Sequence, residues 1–345
     1  MSVEGLVVTS YGASYDVELA GGGRVTCSLR GRLRLADRAF VNPVAVGDRV
    51  RLQVEAPSGG STEAEQDTGT VGVIEEILPR RSWVSRMASG ERGFEQLLAA
   101  NVDLLLAVFA HRQPRADPRL VDRLLLAAEA GGVEPALVLN KADLARRRDR
   151  LLVEEIRDRL SGTPYRIFVV SAETGSGVES LRDAMAGRIC LLAGPSGAGK
   201  TSLANAIDPR LELRVSHVSA RTGRGRHTTT RSALVDLPNG ARVVDTPGIG
   251  FLDICGVEAA EVLRLFPEFA SLEGHCTYRN CGHSDGEEGC AFEAALADGT
   301  VRVGRLQTFR VVRQELEERA AGGDFRSQGR PAADETWDER RIEDR

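Results

Sequence analysis

The chain has 345 residues, 42% hydrophobic and 28% charged, a length and balance that suit two or three domains of an ordinary globular protein. The net charge of −5 excludes a generally basic chain, so a nucleic-acid partner would have to meet a local basic face. No apolar run approaches the roughly 20 residues of a membrane span, and "MSVEGLVVTS" carries no basic segment leading into an apolar one, so no membrane is expected as partner, no secretory signal is expected, and the location is expected to be cytoplasmic.

Across residues 1–80, apolar and polar positions alternate between glycine-rich turns. "GLVVTSYGASYDVEL", "GRVTCSLRGRL", "GDRVRLQVE" and "GTVGVIEEIL" predict four or five short strands and a small β-barrel of OB type. Arg30, Arg32 and Arg34 alternate along one predicted strand and would share a face, with Arg38, Arg80 and Arg81 as candidates to lie nearby. That face is either an RNA-binding surface or a solvated barrel wall. "EAPSGGSTEAEQDTGT" is expected as a mobile loop, and 81–100 as a linker.

Residues 101–252 change character, with apolar runs separated by amphipathic helices. "VDLLLAVFA", "PALVLN", "RIFVVS", "ICLLAG" and "ARVVDT" are predicted buried strands, and "RLVDRLLLAAEAG" and "GVESLRDAMAG" helices between them. Such alternation implies a mostly parallel sheet covered on both faces, an α/β domain. From 253 to 321 strands cease, and "GVEAAEVLRLFPEF", "CAFEAALADG" and "VGRLQTFRVVRQELEERAA" are predicted helices around a cysteine-rich loop. The polar stretch 322–345 is expected to be disordered.

Of 45 Lys+Arg residues only Lys141 and Lys200 are lysines, which marks two positions where a flexible point charge has not been replaced by a planar guanidinium. Lys200 lies in Gly194-Pro195-Ser196-Gly197-Ala198-Gly199-Lys200-Thr201-Ser202, a phosphate-binding loop preceded by a predicted strand and followed by a predicted helix. Its backbone N–H groups would cradle phosphate oxygens, Lys200 would reach the β- and γ-phosphates, and Thr201 would ligate Mg²⁺. Lys141 lies in Asn140-Lys141-Ala142-Asp143 at the end of another strand. Asp143 can accept two hydrogen bonds from the N1–H and amine of guanine, Asn140 can meet the ring's other edge, and the Lys141 stem can lie along the base. The backbone of Ser171-Ala172-Glu173 can meet the guanine carbonyl oxygen.

Downstream, "VVDTPG" places Asp245 where it can hold Mg²⁺ through water and Gly248 where its N–H can meet the γ-phosphate. In "GRGRHTTT", Thr229 or Thr230 can close over Mg²⁺ and release after hydrolysis. The apolar Ile249 cannot orient an attacking water; His227 is the candidate for that role, or else a histidine that packs or is solvated in a switch. All the parts of a GTPase are then present with the base motifs before the phosphate loop, an order that resembles a circularly permuted GTPase domain. Permutation also leads the "DTPG" segment straight into the C-terminal helices, so loss of the γ-phosphate could move them. Finally, Cys276, Cys281, His283 and Cys290 have the composition and spacing of a closed tetrahedral zinc site, with His275 as a possible substitute ligand. Cys27, Cys190 and Cys255 are expected in the core.

Together, the barrel, "NKAD", "SAETG", "GPSGAGKTS", "GRHTTT", "DTPG" and the cysteine-rich loop resemble the bacterial ribosome small subunit-dependent GTPase A family over nearly the whole chain. The resemblance implies hydrolysis of GTP to GDP, stimulation by the 30S subunit, contact with 16S rRNA, a late role in small-subunit maturation, one structural Zn²⁺ and Mg²⁺ with the nucleotide; a monomer is expected, though no sequence feature fixes the oligomeric state. Two other classes are compatible with parts of the sequence: a regulatory GTP-binding module acting on a protein partner, and an ATP-using P-loop enzyme, which the guanine motif disfavours.

Overall fold

A computed structural model describes residues 2–33, 40–54, 71–88, 94–146, 149–209, 231–246, 250 and 252–321. The expected loop at 55–70 and the tail from 322 lie outside the described residues, as do Arg34, Arg38, His227, Thr229, Thr230 and Gly248.

The N-terminal strands are β1 (Ser2–Ser10), β2 (Ser14–Leu19), β3 (Arg24–Leu29), β4 (Arg49–Val54) and β5 (Val71–Ile77). Their order β1-β2-β3-β5-β4 closes through a β1–β4 pairing into the expected five-stranded barrel. In β3 the inward residues Val25, Cys27 and Leu29 are buried while Arg24, Thr26 and Ser28 are exposed, the period-two pattern that made the strand legible. Val7, Tyr15, Val17, Val50, Leu52 and Ile74 complete the barrel interior.

One expectation fails here. β3 ends at Leu29, so Arg30 and Arg32 do not alternate along a strand. Arg30 N donates to Ile74 O at 3.1 Å, and Leu33 N returns to Arg30 O at 2.9 Å, which makes a turn of this segment. The Arg30 guanidinium pairs with Glu75, and Arg32 Nη2 donates to Glu75 O at 3.2 Å. Arg80 is part-buried, its guanidinium held by Asp48 at 2.7 Å and by Pro43 O at 2.6 Å.

The segment expected as a linker carries an antiparallel hairpin, β6 (Trp83–Met87) and β7 (Glu95–Ala100). It joins the barrel to the second domain through Asn101, whose amide donates to Gly47 O at 2.8 Å and accepts from Arg81 N at 3.0 Å.

The second domain contains β8 (Leu104–Ala110), α1 (Pro118–Ala130), β9 (Glu134–Asn140), α2 (Arg150–Arg159), β10 (Arg166–Val169), α3 (Val178–Met185), β11 (Ile189–Ala193), α4 (Lys200–Ile207), β12 (Ser232–Asp236) and β13 (Arg242–Asp245). The strand order β10-β9-β8-β11-β13-β12 is parallel except for the β12–β13 hairpin. Every residue of β8 is buried, as a central strand covered on both faces requires. Two apolar layers result: Leu105, Ala107 and Phe109 point to one, Leu104, Leu106 and Val108 to the other. The barrel continues this sheet, because Thr9 and Ser10 of β1 pair with Ala233 and Ser232 of β12.

Past Leu252 no strand occurs among the described residues. The stretch "GVEAAEVLRLFPEF" forms two 3₁₀ segments, Ala259–Leu265 and Pro267–Leu272, not the expected α-helix. Pro267 lacks the N–H that would continue a helix and interrupts it there. α5 (Ala291–Ala297) and α6 (Val303–Ala320) form as expected. Phe266, Phe269, Phe292 and Phe309 stack edge and face among themselves and join the apolar layer of α1. A buried ionic knot fixes this module to the second domain. Asp122 of α1 accepts from Arg305 Nη1 at 3.0 Å, Thr308 Oγ1 at 2.8 Å and Arg159 Nε at 2.8 Å.

Candidate active site and metal centre

The parallel strands β8, β9, β10, β11 and β13 all end at one edge of the sheet, and the expected motif segments start from these ends. Ligands of open α/β sheets bind outside the carboxyl ends of the strands. Motifs that the permuted order separates in sequence are thereby brought to one edge.

The phosphate-loop segment leaves β11 at Gly194, whose φ of 145° and close approach to the Val108 carbonyl leave no room for a Cβ. Gly199, at φ 86°, heads α4; a Cβ there would stand 2.5 Å from Asn140 Nδ2. The loop and the Asn140 segment are therefore in contact. Asn140, 1% exposed, donates through Nδ2 to Ala198 O at 3.1 Å and to Gly199 O at 3.3 Å, and accepts from Ala172 N at 3.1 Å. One buried amide thus ties together three loops from β9, β10 and β11. The Ala172 N–H is engaged by this bond.

Lys141 sits at φ 59°, and its ammonium donates to Gln113 O. Burial lowers its pKa, with the Asp143 carboxylate acting in the opposite sense. Asp143 stands exposed in the 3₁₀ turn Ala142–Leu144 and accepts from Ser171 Oγ at 2.5 Å. Ser171 Oγ also accepts from Thr174 N at 3.2 Å, so the Ser171–Glu173 segment is held against the Asp143 turn. Lys200 Nζ donates to Gly194 O at 2.6 Å and Pro195 O at 3.1 Å, and burial lowers its pKa. Asp245 is exposed at the end of β13, opposite Ala233 of β12. The β11–β13 pairing brings Asp245 to the edge from which the loop leading to Thr201, in the first turn of α4, departs. Gly194 N donates to Gly250 O at 3.1 Å, which links the loop to the segment running toward the C-terminal module.

Sequence reasoning missed the loop after β8. His111 N donates to Asn140 O at 3.0 Å, Gln113 O receives Lys141, and Pro114 Cδ lies 3.3 Å from where a Cβ on Gly197 would be. The signal lay in the position of His111-Arg112-Gln113-Pro114 at a strand end, without a motif to mark it. His111 is 3% exposed with neither ring nitrogen hydrogen-bonded. Burial lowers its pKa, and the Asp149 and Asp143 carboxylates oppose that shift.

The four cysteine-rich-loop residues converge. His283 Nδ1 lies 3.5 Å from Cys276 Sγ, 3.5 Å from Cys281 Sγ and 3.7 Å from Cys290 Sγ. A tetrahedral ion with metal–sulfur bonds of about 2.3 Å and metal–nitrogen bonds of about 2.05 Å requires a nitrogen–sulfur separation of about 3.6 Å. The donors therefore fit a metal ion, with His283 binding through Nδ1. Burial, and after it the Arg313 guanidinium, lower the His283 pKa and favour the neutral ring that ligates. Ala291 N donates to Cys276 Sγ at 3.4 Å. His275 is not part of the set, since its Nδ1 meets Ser271 O at 2.8 Å. Cys27, Cys190 and Cys255 are buried as expected, and burial pushes their thiols up to about 11, about 12 and about 12.

Comparison with known proteins bears on all three parts. Residues 77–255 match the RsgA GTPase family and residues 4–61 the RsgA N-terminal domain. A relative from Moorella thermoacetica, named small ribosomal subunit biogenesis GTPase RsgA, is 40% identical over 87% of this chain and 92% of its own length. The chain belongs to the RsgA GTPase family. A second RsgA, from Gemmatimonas aurantiaca, is 37% identical over 91% of the chain and 98% of its own length. The crystal structure of YjeQ from Thermotoga maritima superposes with a TM-score of 0.70 at 32% identity, covering 92% of this chain and 99% of that one. The structure of YloQ, described as a circularly permuted GTPase, shares the fold with a TM-score of 0.66 over 92% of this chain and 96% of its own, at 24% identity. As a member of the RsgA GTPase family the protein is a GTPase, and its central domain is the permuted form of that fold.

Proposed function

We propose that this GTPase acts in biogenesis of the small ribosomal subunit, hydrolysing GTP to GDP and phosphate with stimulation by the 30S subunit. The relatives' names support the ribosomal role. The observation that carries the GTP reading is the amide of Asn140, which joins the guanine motif, the Ser171–Glu173 segment and the phosphate loop.

In this reading Asp143 accepts from the guanine N1–H and amine. The stem of Lys141 lies along the base, and Ser171, Ala172 and Glu173 close its far edge. Since Ala172 N is bound to Asn140, the carbonyl of guanine would be met by a neighbouring N–H of that segment. The amides of Gly194 to Ser202 take the phosphates, and Lys200 exchanges its two carbonyl partners for phosphate oxygens. Thr201 and Asp245 would hold Mg²⁺, which when bound neutralises charge on the β- and γ-phosphate oxygens. Thr229 or Thr230, with Gly248, would sense the γ-phosphate, and His227 would orient water. Cys276, Cys281, His283 and Cys290 would hold one structural Zn²⁺ with no ligand position left for catalysis.

Residues 1–80 form the barrel, 101–252 the GTPase domain and 253–321 the zinc module. Arg30, Arg32 and Arg34 would approach 16S rRNA from the barrel. The protein acts as a cytoplasmic monomer.

The test is GTP turnover by zinc-loaded protein with purified 30S subunits, with 50S subunits as control. Stimulation confined to 30S and lost in Lys200→Ala is the expected result. Turnover indifferent to both subunits would refute the ribosomal role and direct the search to a protein partner.

A further inference from the structure

The loop that carries His283 is gripped from both sides. On one side α6 supplies two guanidinium groups to three successive carbonyls. Arg313 Nη1 donates to Gly282 O at 2.8 Å, Arg310 Nε to His283 O at 2.7 Å, and Arg310 Nη2 to Ser284 O at 3.0 Å. On the other side the Glu287 carboxylate accepts from Gly282 N at 3.0 Å and Ser284 N at 2.8 Å. The arginines are themselves fixed: Arg310 by Glu293 and by Asp285 at 3.2 Å, Arg313 by Glu317 at 3.0 Å.

His283 needs this support. Its φ is 56°, a left-handed conformation that a residue with a Cβ seldom adopts. Its ring rests on Phe292 at 4.4 Å and Phe309 at 6.0 Å, the latter the neighbour of Arg310 on α6. A free loop would have to be ordered each time an ion bound, and that ordering would weaken binding.

We propose that Arg310 and Arg313 are positioning residues for the metal ion: by bonding the carbonyls of Gly282, His283 and Ser284 they hold His283 Nδ1 against the three thiolates before the ion arrives. This rests on the cluster being a metal site and is independent of the ribosomal role. The same helix carries Arg305 and Thr308 into the Asp122 knot, so ion affinity is linked to the docking of α6 on the GTPase domain.

The experiment is a Zn²⁺ competition titration of the full-length protein against a chromophoric chelator at fixed pH. Partners that orient metal ligands typically contribute 10–100-fold in affinity. Arg313→Ala and Arg310→Ala should each weaken Zn²⁺ binding about 10–100-fold, and Arg313→Lys should recover part of the loss. Gln307→Ala, an exposed position elsewhere on α6, should bind as the unaltered protein does. The Co²⁺-substituted variants should keep the absorption spectrum of the unaltered protein, which shows the same four ligands held less tightly. If either arginine variant fails to fold, Glu287→Gln tests the opposite grip and should also weaken binding. Unchanged affinity in the arginine variants while the parent binds one Zn²⁺ would overturn the proposal, as would an equal loss in Gln307→Ala. A parent that binds no Zn²⁺ would overturn the metal reading and the proposal with it.

Discussion

Asn140 and Asp143 belong to one motif but do different physical work, and two substitutions separate them. Asn140→Ala removes three hydrogen bonds, to Ala198 O, Gly199 O and Ala172 N, from a side chain that is 1% exposed. With about 1 kcal/mol net per bond, and more for any partner left buried and unpaired, the loss is about 2–4 kcal/mol. In a domain of this size that lowers the unfolding midpoint by about 5–10 °C. Because three loops come apart together, GTP and GDP should lose affinity alike. Asp143→Asn alters an exposed group whose one bond here, from Ser171 Oγ, an amide oxygen can also accept. Its midpoint should stay within about 2 °C, while discrimination of GTP against ATP should fall by about 10–100-fold, the worth of a lost charged hydrogen bond. Scanning fluorimetry without nucleotide gives the first quantity, and displacement of a fluorescent GDP analogue by GTP or ATP the second. An Asn140→Ala protein of unaltered midpoint that loses only base selectivity would refute the assignment of Asn140 as the tie between loops.

Three further outcomes are expected. Asp122→Ala leaves Arg305, 1% exposed, and Arg159 without their shared carboxylate; denaturant unfolding should report a loss of about 3–5 kcal/mol, as for other broken buried ion pairs. Burial lowers the His111 pKa below its ordinary 6.5, so the stability associated with its neutral ring is fully present above that value and declines as pH falls below it. His111→Leu should flatten that part of the stability profile below its ordinary value of 6.5, and an identical slope in both proteins would refute the assignment. Iodoacetamide should label Cys276, Cys281 and Cys290 after chelation but not with Zn²⁺ bound. Cys27, Cys190 and Cys255, raised to about 11, 12 and 12 by burial, should resist in both states.

What the sequence made legible was whatever repeats locally. The alternation in "RVTCSL" and the unbroken apolar run of "LLLAVFA" are consequences of one or two covered faces, and both became strands as expected. Motifs with fixed spacing were legible for the same reason: a phosphate loop needs its glycines near one another. The hairpin β6–β7 was missed although Ser89-Gly90 and Gly93 lie between its strands of five and six residues, because strands this short show little alternation of their own. β12 was missed although Pro238-Asn239-Gly240 marks the turn that follows it. Arg30 and Arg32 were misplaced because alternation continues past Leu29 in the sequence while the Gly31 turn ends the strand. The grip of Arg310 and Arg313 on the metal loop, and the knot at Asp122, join residues far apart in the chain, so no local pattern encodes them.

The seam between β1 and β12 bears on how the protein can be dissected. Without β1, the Ser232–Ala233 end of β12 would present open N–H and C=O groups at the rim of the nucleotide-binding sheet; Thr9 and Ser10 cover that end. Such an uncovered rim is a template for pairing with another chain. Cutting after residue 80 would therefore not liberate a tidy GTPase fragment but would expose an adhesive border. Association of that fragment, even when its nucleotide pocket is intact, would follow from the lost cover and not from the chemistry of the pocket.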